Sequence, residues 1–500
     1  MKRAAKAIVW AVLNPALAMA AFGILVGCGK PVEQEVVDLV IKNGRVMDPE
    51  SGRDERADVA VHGDRIVAIG KDVGGGEQEL DASGLVVAPG FIDLLASVPP
   101  NLHAHTHKIT DGVTTCFGMH GGPVDLGPYR QELEASGALV NYGTAVGHVQ
   151  LRRGAGATDR YAPATAEQIQ EMKDLAGQAL EAGAAGIGFG INYIPGTSYE
   201  EVFALFEVAA EHNVACHLHA RYKGNVFPET MSVAVMEVIA AAAATGARAQ
   251  LAHLTSSTVG SAPLCLALIE GAAEHGVDVA FDFHVWTRNQ TWLRSALYDA
   301  GWQERFGGIT YRDIFVAETQ ERLTKERFEK LRSAPEETLV QTEFIAEEEI
   351  EMALRSPVGM ISSDSGGLWS EEGHEKETGH PRGTGTFARF LSRYVRERQV
   401  VSLMEALGKI SLLPAQRLEK SIPEMKKKGR LRVGADADIT VFDPQTILER
   451  ATYERPYLYS DGVRHVLVNG VVVLRDGELV DGVTPGRWLK HSSSTTPAGN

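Results

Sequence analysis

Residues 357–387 read PVGMISSDSGGLWSEEGHEKETGHPRGTGTF. An apolar run, 358–361, stops at Ser362-Ser363-Asp364, and glycines follow at once. The pattern is that of a buried strand that ends in a loop and presents one carboxylate there. Further on, Gly379-His380-Pro381-Arg382 puts a guanidinium in the next polar loop. A carboxylate at a strand end is a candidate general base, and a nearby arginine is a candidate carboxylate clamp. An N-cap aspartate with a surface arginine reads the same residues without function. These residues alone leave both readings open.

The texture recurs upstream. Short apolar runs lie at 91–94, 114–119, 140–146, 186–189, 215–218, 249–252 and 277–281, with 358–362 as the last. Helical patterns such as 200–211 and 231–244 separate several of them. This alternation predicts an α/β chain built on a TIM-type (β/α)8 barrel, with its active site at the C-terminal ends of the strands. We assign residues 90–428 to the barrel. Within them, 296–352 are charged and helical in texture and read as a helical insertion over the mouth.

Both flanks read as β. Residues 37–89 alternate strand and turn, with Asn43-Gly44 and His62-Gly63-Asp64 as hairpin signals. Residues 429–488 repeat the pattern, with Asn469-Gly470 and Asp476-Gly477 as turns. Neither set can bury both faces alone, so one small composite β domain formed by both ends is expected. Residues 489–500 read as a flexible tail.

At the N-terminus, Lys2, Arg3 and Lys6 precede an apolar stretch, 7–26. This is a targeting segment, set apart from the fold. Leu25-Val26-Gly27-Cys28 resembles a bacterial lipobox, which makes residues 1–28 a lipoprotein signal and Cys28 the lipidated residue; residues 29–36 form a tether. An uncleaved membrane anchor is the alternative. Either way the body lies outside the cytoplasm. Gly29 leans towards the periplasmic side of an outer membrane, if the cell has one. The net charge of −16 argues against a nucleic-acid partner, and four scattered cysteines suggest no disulfide framework.

Histidines cluster at the predicted strand ends: His120 after 114–119, His217 and His219 in ACHLHARY, and His253 in AQLAHL. Residues two apart on a strand share a face. We take His120, His219 and His253, the outermost of each set, to point into the barrel mouth with Asp364. A lone buried histidine is usually a hydrogen-bonded core residue. Three at one end, beside an aspartate, point to a metal site, and imidazole suits zinc.

The motifs VVAPGFID (86–93), DGVTT (111–115), GHVQLR (147–152), GFGINYIPG (188–196), HAR (219–221), AHL (252–254), SSD (362–364), GHPRGTGTF (379–387) and GADADITVFDP (434–444), with ATYERPYLYSDGVRHVLVNGVVV (451–473), stand in one order. In that order the chain resembles the amidohydrolase superfamily and, within it, the N-acyl-D-amino-acid deacylases. The resemblance implies zinc-dependent hydrolysis of the amide of an N-acyl-D-amino acid. It implies His219 and His253 as zinc ligands, Asp364 as the catalytic aspartate and Arg382 as the clamp for the substrate carboxylate. It also implies Tyr193 in the pocket and Trp286 near the substrate. Polar Arg288 and Asn289 would suit an acidic side chain.

The chain departs from the family pattern twice. Leu95 and Ser97 stand where an HxH pair should follow the first strand. The triplet His103, His105 and His107 comes soon after, in a segment that reads as the first helix; it is a decoy or a displaced ligand set. Where the family has a bridging cysteine or glutamate, this chain offers His120, and Cys116 lies deeper in the strand. One zinc per chain, held by three histidines, is therefore expected. Another metal-dependent amidohydrolase acting on a cyclic amide or dipeptide, and an inactive lipid-anchored homologue, remain as alternatives.

Overall fold

A computed structural model describes residues 37–365 and 379–492. Cys28, the signal segment and the tether lie outside the described residues. Eight parallel strands follow one another around a barrel: β1 (Phe91–Asp93), β2 (Val113–Gly122), β3 (Asn141–Gly147), β4 (Gly186–Gly190), β5 (Ala215–His219), β6 (Arg248–Leu251), β7 (Val279–Phe283) and β8 (Gly359–Ile361). A parallel bridge between Ala96 and Ser365 joins the last strand to the first. All eight coincide with the apolar runs. Strands buried on both faces have no polar side to show, so they read as continuous apolar stretches.

The segments after β1 and β8 are tied together below the site. The Asp93 carboxylate accepts the backbone N–H of Ser363 at 3.0 Å and the Lys108 ammonium at 2.9 Å. Lys108 also donates to Ser363 Oγ at 2.8 Å. This buried ion pair fixes the residue next to Asp364.

The flanks form one nine-stranded sheet, in which Val86–Pro89 from the N-terminal part pairs antiparallel with Ile439–Phe442 from the C-terminal part. Its own core joins Leu39, Ile41 and Val59 to Ala437, Ile439 and Leu467. Two turns are as expected: Asn469-Gly470 and Asp476-Gly477 have positive φ at both residues, as a tight hairpin requires. Asn43-Gly44 is not a turn. It is a bulge inside the single strand Val37–Asp48, where the register shifts between Ile41 and Gly44. A Cβ on Gly44 would stand 2.4 Å from Val87, so glycine is needed for close packing there.

Two further expectations are corrected. The insertion is not simply helical: Arg288–Trp292, Ile314–Val316 and Leu339–Glu343 pair as a three-stranded antiparallel sheet. This sheet closes over its own apolar cluster of Leu293, Tyr298, Trp302, Phe306 and Phe328. The helix Glu347–Arg355, placed in the insertion by its charge, packs on β8 and the helix Ala262–Glu274, as a barrel helix does. The chain after 488 is not a free tail as far as it is described. Leu489 N–H donates to Tyr142 O at 2.7 Å, and His491 is buried with Nδ1 3.0 Å from Ser421 O.

Candidate active site

Three strand ends deliver the three imidazoles. His120 lies two residues before the end of β2, His219 closes β5, and His253 follows β6. Their ligand atoms lie within 4.8 Å of one another, the group of this kind found among the described residues. The His120 and His219 rings stack at 4.7 Å. His219 Nδ1 faces His253 Nε2 in close contact.

Each ring is placed by local structure. Gly188 on β4 lets His120 approach: a Cβ there would stand 2.5 Å from the His120 carbonyl carbon. His253 has φ 36°, in the left-handed region, and its N–H is held by the Asp282 carboxylate at 2.9 Å. Its Nδ1 lies 2.9 Å from Ser256 Oγ, which leaves Nε2 for the site. Asp282 also accepts from Gln250 Nε2 at 3.1 Å and Ser362 Oγ at 2.9 Å, so one carboxylate ties β6, β7 and β8 together. Burial pushes the Asp282 carboxyl up to about 6, against these hydrogen bonds.

Asp364 completes the group. Its Oδ1 is 2.6 Å from His120 Nε2 and its Oδ2 is 2.6 Å from Arg382 Nη1. Burial opposes its charge, but Arg382, His253 and His120 more than offset this and hold the carboxyl well below its usual range. Burial drives the other way on the imidazoles: it lowers His219 well below its ordinary value and His253 to about 4. Neutral imidazoles are what a divalent cation binds. Three imidazoles converging on one point beside a carboxylate fit a zinc ion with three protein ligands and an open position.

The remaining expected residues divide. Tyr193 lines the group, its ring 5.6 Å from that of His219. Trp286 donates its indole N–H to Thr386 Oγ1 at 3.1 Å, and its ring packs against His380 and Tyr453. Once the chain leaves β7, that side chain is held by Thr386 of the helix Arg382–Arg389. Arg288 is committed too, its guanidinium 3.6 Å over Phe315 and 4.1 Å over Tyr453 and bonded to Gln320 Oε1 at 3.1 Å. Leu95 is fully buried in the barrel core. His105 spends both ring nitrogens, on Pro99 O at 2.7 Å and on the N–H of Leu139 at 3.3 Å. His103 and His107 stack edge-on within the helix Leu102–Thr110, apart from the three imidazoles.

Two residues escaped the sequence reading. His284, directly after β7, lies with Nε2 3.4 Å from Arg382 Nη1, and burial with the Arg382 charge lowers it to about 3. Its position in FDFH, at a strand end like the others, was the available signal. Lys223, beyond β5, is buried with its ammonium on Ser256 O, and nothing local in HARYKG marks it.

Comparison with known proteins agrees with this geometry. An amidohydrolase family model matches residues 376–474. N-acyl-D-glutamate deacylase of Alcaligenes xylosoxydans xylosoxydans is 33% identical over 93% of this chain and 99% of its own length. The crystal structure of N-acyl-D-glutamate deacylase from Bordetella bronchiseptica, complexed with zinc and a phosphonate inhibitor, superposes with a TM-score of 0.74 at 30% identity, covering 91% of this chain and 100% of that one. A D-aminoacylase structure, described by one-metal activation and second-metal attenuation of its binuclear centre, gives a TM-score of 0.76 at 26% identity, covering 91% of this chain and 100% of that one. The chain belongs to the amidohydrolases and, within them, to the N-acyl-D-amino-acid deacylase family.

Proposed function

We propose that the protein hydrolyses the amide bond of N-acyl-D-amino acids, releasing a carboxylate and the D-amino acid, with one zinc held by His120, His219 and His253. The observation that carries the reading is the meeting of these three imidazoles beside Asp364. Zinc bound there would polarise the amide carbonyl and acidify the attacking water, from a pKa of about 15.7 towards about 7. Asp364, kept ionised by Arg382, takes the water's proton and returns it to the leaving amine. Arg382 binds the substrate's α-carboxylate with the part of its fork not on Asp364. Fixing that carboxylate beside the base fixes one group around Cα, which favours one configuration. Tyr193 walls the pocket next to His219.

The test is metal analysis of the body from residue 37 onwards, beside hydrolysis of N-acetyl-D- and N-acetyl-L-amino acids. One zinc and selective turnover of the D series are expected. A zinc-loaded protein that cleaves neither series is not this enzyme.

We also propose that Cys28 carries lipid and anchors the enzyme in the cell envelope, on the periplasmic side of an outer membrane where there is one. Leu25-Val26-Gly27-Cys28 behind a basic leader supports this. Cys28→Ser should abolish fatty-acid labelling and membrane recovery. A variant that is still cleaved, labelled and membrane-bound would show the lipobox reading to be wrong.

A further inference from the structure

We propose that Lys223 recognises a second carboxylate on the substrate, so that the preferred substrates are N-acyl-D-amino acids with acidic side chains. The inference rests on the hydrolase reading above and refines its substrate class.

Lys223 is 6% exposed. Its ammonium donates to Ser256 O at 2.5 Å, and Ser256 Oγ in turn meets His253 Nδ1 at 2.9 Å. It is therefore one residue removed from the imidazole cluster. The rings of Phe306 and Phe344 stand 4.9 and 4.7 Å from it. Both rings come from the segment inserted between β7 and β8, so the insertion builds the wall around this cation. An ammonium carries three donors and no acceptor. One carbonyl and two aromatic faces satisfy it only in part.

Among the described residues no carboxylate lies within ion-pair distance of Lys223. Other buried lysines are provided for. Lys108 is 2.9 Å from Asp93, and Lys428 is 2.6 Å from Asp438. Lys409, which lacks a carboxylate, ends on the Ser356 and Gly359 carbonyls, before and at the start of β8. Lys223 alone of these lies within electrostatic reach of Asp364, His253 and His284. Burial lowers its pKa to about 7, opposed in part by the Asp364 charge.

Arg382 already stands beside Asp364, where the carboxylate next to the scissile nitrogen must lie. A second cation, held at Ser256 next to His253, calls for a second anion on the same molecule. A substrate with an apolar side chain would leave the ammonium buried without a partner, which is costly. N-acyl-D-glutamate and N-acyl-D-aspartate supply the missing charge.

The experiment compares zinc-loaded wild type, Lys223→Met and Lys223→Arg on N-acetyl-D-glutamate, N-acetyl-D-aspartate and N-acetyl-D-methionine. Zinc content and thermal midpoint check each fold. Breaking a buried charge pair with a ligand costs roughly 2–5 kcal/mol, on the order of 30-fold to 1,000-fold or more in affinity. Wild type should favour an acidic substrate, and Lys223→Met should lose that preference, chiefly through KM, with Lys223→Arg recovering part of it. Wild type that cleaves N-acetyl-D-methionine as well as either diacid overturns the proposal, as does Lys223→Met lowering all three substrates equally. Wild type that cleaves no N-acyl-D-amino acid removes the hydrolase reading and this proposal with it. Should Lys223→Met fail to fold, thermal protection of wild type by D-glutamate and by D-methionine decides: greater protection by D-glutamate supports the proposal, and equal protection overturns it.

Discussion

The guanidinium of Arg382 binds the carboxylate of Asp364 at 2.6 Å. The expected substrate clamp and the expected base are thus one unit. From sequence, Arg382 contacts only a carboxylate that does not change in the reaction, so its loss should raise KM and spare kcat. The ion pair changes that expectation. Burial favours the neutral form of Asp364, and Arg382 is the first group that opposes it. In Arg382→Met the base should protonate at higher pH, so the acid limb of kcat/KM should move up and kcat should fall with KM. Rate profiles between pH 4 and 9 check this; an acid limb that stays in place would separate the two residues.

Removing a ligand and removing the base should have different consequences. His219→Ala and His253→Ala should lose zinc and activity together. Asp364→Ala should keep the zinc and lose about 10²–10⁴ in kcat, the usual contribution of a general base. His120→Ala is the sharpest case, because His120 stands where the family pattern has a bridging cysteine or glutamate. Full zinc affinity in that variant would exclude His120 as a ligand. Two tightly bound metals in wild type would overturn the mononuclear reading, since Leu95 is core and Ser97 a poor ligand.

Asp282 should act through His253. Asp282→Ala leaves the His253 N–H, Gln250 Nε2 and Ser362 Oγ without their acceptor. Each buried donor left unmatched costs about 1–3 kcal/mol. The variant should unfold at lower denaturant and bind zinc more weakly. Unchanged zinc affinity would confine Asp282 to a purely architectural part.

Gly188→Ala tests how His120 is placed. The added Cβ would stand 2.5 Å from backbone atoms of His120 and Gly121, so β2 must shift. Overpacking of this kind costs about 1–3 kcal/mol. Reduced stability with weakened zinc binding is expected from calorimetry and metal titration; an unperturbed zinc site would show that β2 can yield without moving the imidazole.

Asp111 should give stability an unusual pH dependence. Its carboxylate accepts the N–H groups of Phe387 and Ala388, both at 2.9 Å, yet burial pushes its pKa up to about 7. The folded state then holds a proton that the unfolded chain releases near its ordinary value of 3.8. This group's contribution is full below that value and is lost as pH rises towards about 7. Relative to Asp111→Asn, wild type should therefore lose stability between pH 4 and 7.5 in urea unfolding. Parallel pH curves for the two proteins would show that Asp111 does not titrate in this range.

The barrel strands, the two β flanks and the histidines at strand ends could be read from sequence because their signals are local. A strand buried on both faces is apolar throughout, a tight turn needs Asn-Gly or Asp-Gly, and a side chain at a strand end faces the mouth by parity. What each side chain meets there was not local. Asn43-Gly44 has the letters of a turn, and only the approach of Val87 makes it a bulge. The insertion's sheet pairs Arg288–Trp292 with Leu339–Glu343, strands separated by a long stretch that looks charged and helical. Trp286 and Arg288 were drawn to Thr386, Tyr453 and Phe315, while His284 and Lys223, without any motif of their own, came to lie beside Arg382 and His253. Sequence determined which residues reach the mouth of the barrel. The tertiary structure decided their partners, because burial and charge pairing depend on contacts between segments far apart in the chain.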